Sequence, residues 1–204
     1  MPQAKLWFTS YLHLNHRGVL ADGWGRRPYS TVEAHDMGVT LAINSCVAEK
    51  DTLVILGDNA FGKCAIDQAV IMRGFIRNLR CKKLIFIRGN HDDVNALKCL
   101  GRETHDYLMI NWNKTQYFCC HYPLLTWPES HYGSVCVYGH THATFEAEFD
   151  RLIPQRRALD AGWDNAFRVL GEYRPFEASE ILDLLKDRAG SFPITERTVN
   201  ERAG

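Results

Sequence analysis

The sequence predicts an α/β fold built on parallel strands. Apolar runs of strand length recur along the chain, and helical patterns separate the early ones. The residues that follow these runs are of the types that bind cations and move protons. Leu6–Thr9 is short, apolar and aromatic, as suits a buried strand. Ser30-Thr31-Val32-Glu33 reads as a capping box with Ser30 as N-cap, opening a helix to about Glu49. Leu53–Leu56 is the second strand. Met72, Phe75, Ile76 and Leu79 share one face of a helix that begins near Ala65. Leu84–Ile87 is the third strand, so strand and helix alternate over residues 6–87, the arrangement that pairs strands in parallel. Tyr107–Ile110, Tyr117–Cys120 and Val135–Tyr138 follow at hairpin-like spacing. A last helix is expected at about 179–188, with Ser179 as N-cap and Gly190 just past its end.

The chain of 204 residues has the size of one domain, expected over 1–190, with a polar tail over 191–204. Hydrophobic residues at 46% and charged residues at 24% exclude disorder and fibrous classes. Twenty-four basic residues balance twenty-four acidic ones. That balance speaks against duplex nucleic acid or an anionic membrane as partner. No apolar run is long enough for a membrane span. The first residues lack the pattern of a secretory leader, so a cytoplasmic protein is expected. Seven cysteines without a CxxC pair fit that compartment as reduced, mostly buried thiols. Nine histidines are more informative, since imidazole is the commonest metal ligand and acid–base group.

Five expected strands run directly into a polar cluster. The first leads into Tyr11-Leu12-His13, the second into Gly57-Asp58-Asn59, and the third into Gly89-Asn90-His91-Asp92. Tyr117–Cys120 leads into His121, and Val135–Tyr138 into Gly139-His140-Thr141-His142. Ligands of open α/β sheets bind beyond the carboxyl ends of the strands. Imidazoles, a carboxylate and an amide oxygen would converge there, a donor set for divalent first-row metals rather than a thiolate zinc site. Each piece alone has a plainer reading. Gly57-Asp58 and Gly89-Asn90 are turn dipeptides, and His121 alone could be a core histidine. Jointly, all five pieces point to a metal site.

These blocks resemble the signature of the calcineurin-like metallophosphoesterases, in particular their small phage and bacterial members. The family pattern is Asp-x-His, Gly-Asp, Gly-Asn-His-Asp/Glu, a lone His and Gly-His-x-His, and the resemblance covers about residues 6–185. It implies a four-layer α/β/β/α sandwich with two mixed sheets and two divalent ions at the strand ends. Manganese is the first expectation, with iron, nickel and zinc as alternatives. By the resemblance, Asp58 bridges the ions, His13 and His142 serve one, and Asn90, His121 and His140 serve the other. His91 faces the phosphate, oriented by Asp92. The implied reaction is direct attack on a phosphomonoester or phosphodiester by a metal-bound hydroxide, with no phospho-enzyme.

One position departs from the pattern. Where the family has a ligand Asp, this chain has Tyr11. A phenol, with a reference pKa near 10 against about 3.9 for Asp, is a poor ligand unless a metal lowers it. Three readings follow: the first site is weak or empty and one ion is held; Tyr11 ligates as tyrosinate; or Tyr11 is an introduced substitution, since one base separates the Asp and Tyr codons. A catalytically impaired metal- or nucleotide-binding relative is therefore the alternative to an enzyme, and a Ser/Thr protein phosphatase a weaker one. For the substrate, a small phosphorylated compound such as a nucleotide is expected. Arg17, Arg26 and Arg27 lie on a loop that could cover the site and contact phosphate, or simply be solvated. Trp127, His131 and Tyr132 lie on a segment that could stack a ring or simply pack down, and His16 could support the metal site or be an ordinary loop residue. The oligomeric state is left open.

Overall fold

In the computed structural model, which describes residues 3–188, every apolar run named above is a strand. The expectations for the tail over 191–204 and for Gly190 lie outside the described residues. In chain order the elements are β1 (Leu6–Thr9), α1 (Val32–Cys46), β2 (Thr52–Leu56), α2 (Ala65–Asn78) and β3 (Lys83–Ile87). They continue with α3 (Val94–Lys98), β4 (Glu103–His105), β5 (Tyr107–Trp112), β6 (Thr115–Cys120) and β7 (Val135–Tyr138). The last are α4 (Glu146–Leu152), β8 (Ala158–Asp160), α5 (Trp163–Leu170), β9 (Phe176–Glu177) and α6 (Ala178–Leu184).

Two mixed sheets result, ordered β4-β3-β2-β1-β9 and β5-β6-β7-β8. Strands β1 to β4 are parallel and β9 joins β1 antiparallel. Side-chain alternation explains why the central strands are apolar throughout. Leu6, Phe8, Val54, Leu56, Ile85 and Ile87 meet Tyr117, Cys119, Val135 and Val137 between the sheets. Their neighbours Trp7, Leu53, Ile55, Leu84 and Phe86 bury against Val39, Ile43, Met72 and Phe75 of α1 and α2. Phe118, Cys136 and Tyr138 face outward under Trp127, and Arg156 lies across the rings of Tyr138 and Phe149. The order of layers is that of a four-layer α/β/β/α sandwich.

Hairpin spacing holds for one pair of strands. β5 and β6 are antiparallel across Asn113-Lys114, both at positive φ, the backbone that a tight two-residue turn demands. β6–β7 and β7–β8 are parallel instead, because the segment through Trp127 and α4 return the chain to the same end of the sheet. Both expected helix caps are displaced. Thr31, not Ser30, caps α1, accepting the Ala34 N–H at 3.1 Å, and the helix stops at Cys46, where Val47 turns extended. Glu177, not Ser179, caps α6, because Glu180 reaches back to the Glu177 N–H at 2.9 Å and closes a box two residues earlier. Cysteines 81, 119, 120 and 136 are buried free thiols, whereas Cys64 and Cys99 are exposed. Among the described residues no helix is long and apolar enough to cross a membrane.

Candidate metal centre

Parallel pairing brings the carboxyl ends of β1, β2, β3, β6 and β7 to one edge of the sandwich, and the loops bearing His13, His91, His121, His140 and His142 gather there. The loop after β1 is zipped to the loop after β2: Tyr11 N–H donates to Gly57 O at 3.1 Å and His13 N–H to Asp58 O at 3.0 Å. Tyr11, His13, Asp58, His140 and His142 all have φ between 47° and 71°. Left-handed backbone is costly for these residue types and concentrates where a site needs several side chains aimed inward. Two glycines are required by close approach. A side chain at Gly57 would strike the His121 ring, and one at Gly89 would strike the Asp58 carboxylate.

His121, Asn90, His140 and Asp58 converge at one point. The His121 Nδ1–H donates to Leu56 O at 2.7 Å, which leaves Nε2 with its lone pair toward the site. That nitrogen stands 2.9 Å from Asn90 Oδ1 and 3.6 Å from Asp58 Oδ2. His140 Nδ1 stands 3.0 Å from the same Asn90 oxygen. Donors at about 2.1 Å on perpendicular axes of one cation lie roughly 3 Å apart, so these spacings fit a shared ion. Burial lowers the pKa of both His121 and His140, keeping them neutral and able to ligate. It raises that of Asp58, an effect opposed by the His91 N–H bond at 3.0 Å and the surrounding imidazoles. Among the described residues no three His, Cys, Asp or Glu side chains are close enough together to cage a cation, and the candidate set includes the amide oxygen of Asn90.

The other half is built differently. His13 is 2% exposed and both of its ring nitrogens are buried without a hydrogen-bond partner, an arrangement that fits a metal ligand. His142 stacks on it at 5.3 Å and donates from Nδ1 to Asp164 Oδ2 at 2.9 Å. The Tyr11 ring packs against His142 at 3.6 Å between centroids and lies 5.1 Å from the His13 ring. In the metal-free protein, burial, reinforced by Asp58, Asp160 and Asp164, pushes its phenol far above the ordinary range. This half thus brings together two imidazoles and a phenol, and no carboxylate takes the place of Tyr11.

Several residues that hold the site were not legible beforehand. Arg27 is fully buried and pairs with Asp164 through two bonds of 2.8 and 3.1 Å, while also donating to the carbonyls of Tyr11 and Leu12. It is thus a positioning residue for His142 and the β1 loop, not a phosphate contact. Arg17 points into solvent toward Asp22. Asp160 accepts from Thr141 Oγ1 at 2.8 Å and Ala143 N–H at 3.1 Å, and so shapes the loop that carries His140 and His142. Burial and nearby Glu146 raise its pKa to about 7. Gln68 of α2 donates to His91 O and accepts the Asp93 N–H, fixing the β3 loop. Trp127 is buried with its indole N–H on Ser134, whereas Tyr132 is exposed, so this segment packs down rather than stacking a ring over the site. His16 lies on the Phe61 ring at 4.0 Å and next to His13.

Asp92 requires a correction. Its carboxylate accepts N–H groups of Asp58, Asn59 and Gly89 at 2.8–2.9 Å, plus the Asn59 side-chain amide, and makes no bond to the His91 ring. Burial raises its pKa and these donors oppose the shift. The loops after β2 and β3 both leave N–H groups pointing inward, and Asp92 binds them together. Asp92→Ala is expected to cost about 3 kcal/mol by orphaning those donors, read as a lower denaturation midpoint together with weakened metal binding. His91 itself is exposed at the lip, its ring 5.9 Å from that of His13.

A pH dependence follows from His13, whose pKa burial lowers to about 2, with Arg27 and His142 adding to the effect. Below about pH 6.5 the unfolded chain binds a proton here that the folded chain refuses, so folded stability falls with pH. In the metal-free protein this removes about 2 kcal/mol between pH 6.5 and 5. Urea midpoints in chelator should show the loss, and His13→Gln should flatten the slope.

Comparison with known proteins bears on the whole assembly. The family model described as calcineurin-like phosphoesterase matches residues 14–191, starting just after Tyr11 and His13. The uncharacterized protein MJ1445 of Methanocaldococcus jannaschii is 24% identical over 186 residues, 91% of this chain and 94% of that protein. The gene 66 protein of Mycobacterium phage L5 is 24% identical over 213 residues, 89% of this chain and 94% of its own length. Among solved structures, the Aquifex aeolicus protein AQ665, of unknown function, superposes with a TM-score of 0.63 at 17% identity, covering 89% of this chain and 100% of that one. That likeness shows a shared fold.

Proposed function

Because the chain belongs to the calcineurin-like phosphoesterase family, we propose that it hydrolyses a small phosphate ester with one divalent cation, held by Asp58, Asn90, His121 and His140. The observation that carries this reading is the meeting of lone pairs at Asn90 Oδ1. With Nδ1 of His121 committed to Leu56 O, its Nε2 faces an amide oxygen at 2.9 Å, and a cation relieves that opposition. Manganese suits such mixed nitrogen and oxygen ligation at neutral pH. When bound, a divalent cation supplies charge on a phosphate oxygen and lowers the pKa of water.

The protein's own groups then have distinct tasks. Asp58 offsets the charge of the ion and, through the His91 N–H bond at 3.0 Å, ties the ligand set to the loop that carries the acid. His91, free of side-chain bonds among the described residues, hydrogen-bonds the ester and protonates its leaving oxygen. Water attacks phosphorus opposite that oxygen, and no Ser or Cys lies among the ligating groups to form a phospho-enzyme. Arg27 and Asp164 keep His142 in a fixed tautomer. The second reading, an impaired relative that binds metal or nucleotide, is favoured by one feature: the Tyr11 ring packed on His142.

Hydrolysis of bis(4-nitrophenyl) phosphate, with manganese and with chelator, tests the proposal. Turnover that requires manganese is expected. Its absence both here and in Tyr11→Asp would overturn the enzyme reading.

A further inference from the structure

A pocket of about 440 Å³ opens beside the metal residues, lined by Trp24, Pro123, Thr141, Thr144, Phe145 and Phe149 together with His140 and His142. Its volume lies in the range of small-ligand sites. The aromatic walls come from separate parts of the chain: Trp24 from the loop after β1, and Phe145 and Phe149 from the start of α4. Trp24 is 55% exposed and Phe145 56%, a large apolar area left in water at the mouth of a polar site. The Trp24 ring meets that of His142 edge-on at 4.7 Å, so the pocket and the candidate site share a wall.

The two hydroxyls of the lining are engaged within the protein. Thr141 Oγ1 donates to Asp160 at 2.8 Å, and the Thr144 hydroxyl donates to Thr141 O. Among the described residues no Lys, Arg, Asp or Glu lines the pocket. Away from the imidazoles it shares with the candidate site, such a surface is almost wholly apolar and suits neither a sugar's hydroxyls nor an ionic group. It offers flat faces for a ring.

We propose that this pocket receives the organic half of the substrate, and that this half carries a planar, uncharged aromatic group, a nucleobase or an aryl ring, next to the phosphate at the cation site of Asp58, Asn90, His121 and His140. The inference rests on the phosphoesterase reading for the identity of the phosphate site. With both hydroxyls engaged, recognition is by stacking and does not read base edges, so different rings are accepted alike.

Calorimetric titration of the manganese-supplemented full chain with adenosine 5′-monophosphate, phenyl phosphate, ribose 5-phosphate and inorganic phosphate tests this. Both aromatic ligands are expected to bind about tenfold or more tighter than ribose 5-phosphate, the scale of one stacked ring. The better of the two identifies base or aryl group as the preferred occupant. Trp24→Ala and Phe145→Ala, both at exposed positions, should each erase most of that advantage while leaving inorganic phosphate binding unchanged. An equal affinity for aromatic and non-aromatic ligands, or an advantage that survives both substitutions, would overturn the pocket assignment. Loss of ester hydrolysis with the aromatic advantage intact would instead remove the catalytic reading and leave the pocket standing.

Discussion

His91→Ala is expected to lower kcat for a phosphate ester by about 10²–10⁴-fold while leaving bound metal unchanged, the range of a well-placed general acid. The separation of the two readouts follows from geometry. The His91 ring is exposed and engages none of the ligating atoms, whereas its backbone N–H holds Asp58 at 3.0 Å and its carbonyl accepts from Gln68 at 2.8 Å. Alanine keeps both backbone bonds. The acidic limb of the pH–rate profile should persist and the basic limb should vanish, since the acid is what is removed. Loss of metal in this variant would place His91 among the ligands and contradict the assignment.

Tyr11→Asp is expected to work in the opposite direction, raising kcat about 100-fold, the scale on which one group that stabilises transition-state charge acts. Restoring a carboxylate beside His13 and His142 completes a second half-site that already has two imidazoles, one of them with both nitrogens unpartnered. The gain has a counterpart in the metal-free protein. An aspartate here is buried near Asp58, and like charges in one low-dielectric site repel. The variant should therefore melt lower than the parent in chelator and recover more on addition of manganese. Unchanged activity in the variant would show that the Tyr11 ring is not what limits this chain.

Much of this architecture could be read from the residues, for reasons that differ by element. Central strands β1, β2 and β3 are buried on both faces and so appear as unbroken apolar runs. Their parallel pairing followed from the helices between them. β4, β8 and β9, of three, three and two residues, are too short for a pattern, and tertiary context alone makes them strands. The candidate ligands were legible because each follows a strand end, where the fold gathers them. Their supports were not. Arg27 looked like a loop cation because its partner Asp164 is 137 residues away, and only the folded chain unites them. Asp92 sat beside His91 in sequence, yet its carboxylate turns back into the loop N–H groups rather than forward to the ring. The aromatic pocket was invisible for the same reason, since Trp24 and Phe145 carry no shared spacing.

The proposed centre pairs a furnished half-site with one closed by a phenol. Manganese bound per chain, counted by native mass spectrometry on the intact protein and on Tyr11→Asp, tests it most directly. One ion in the parent and two in the variant is the predicted result. Two tightly held ions in the parent, or none in either protein, would contradict it.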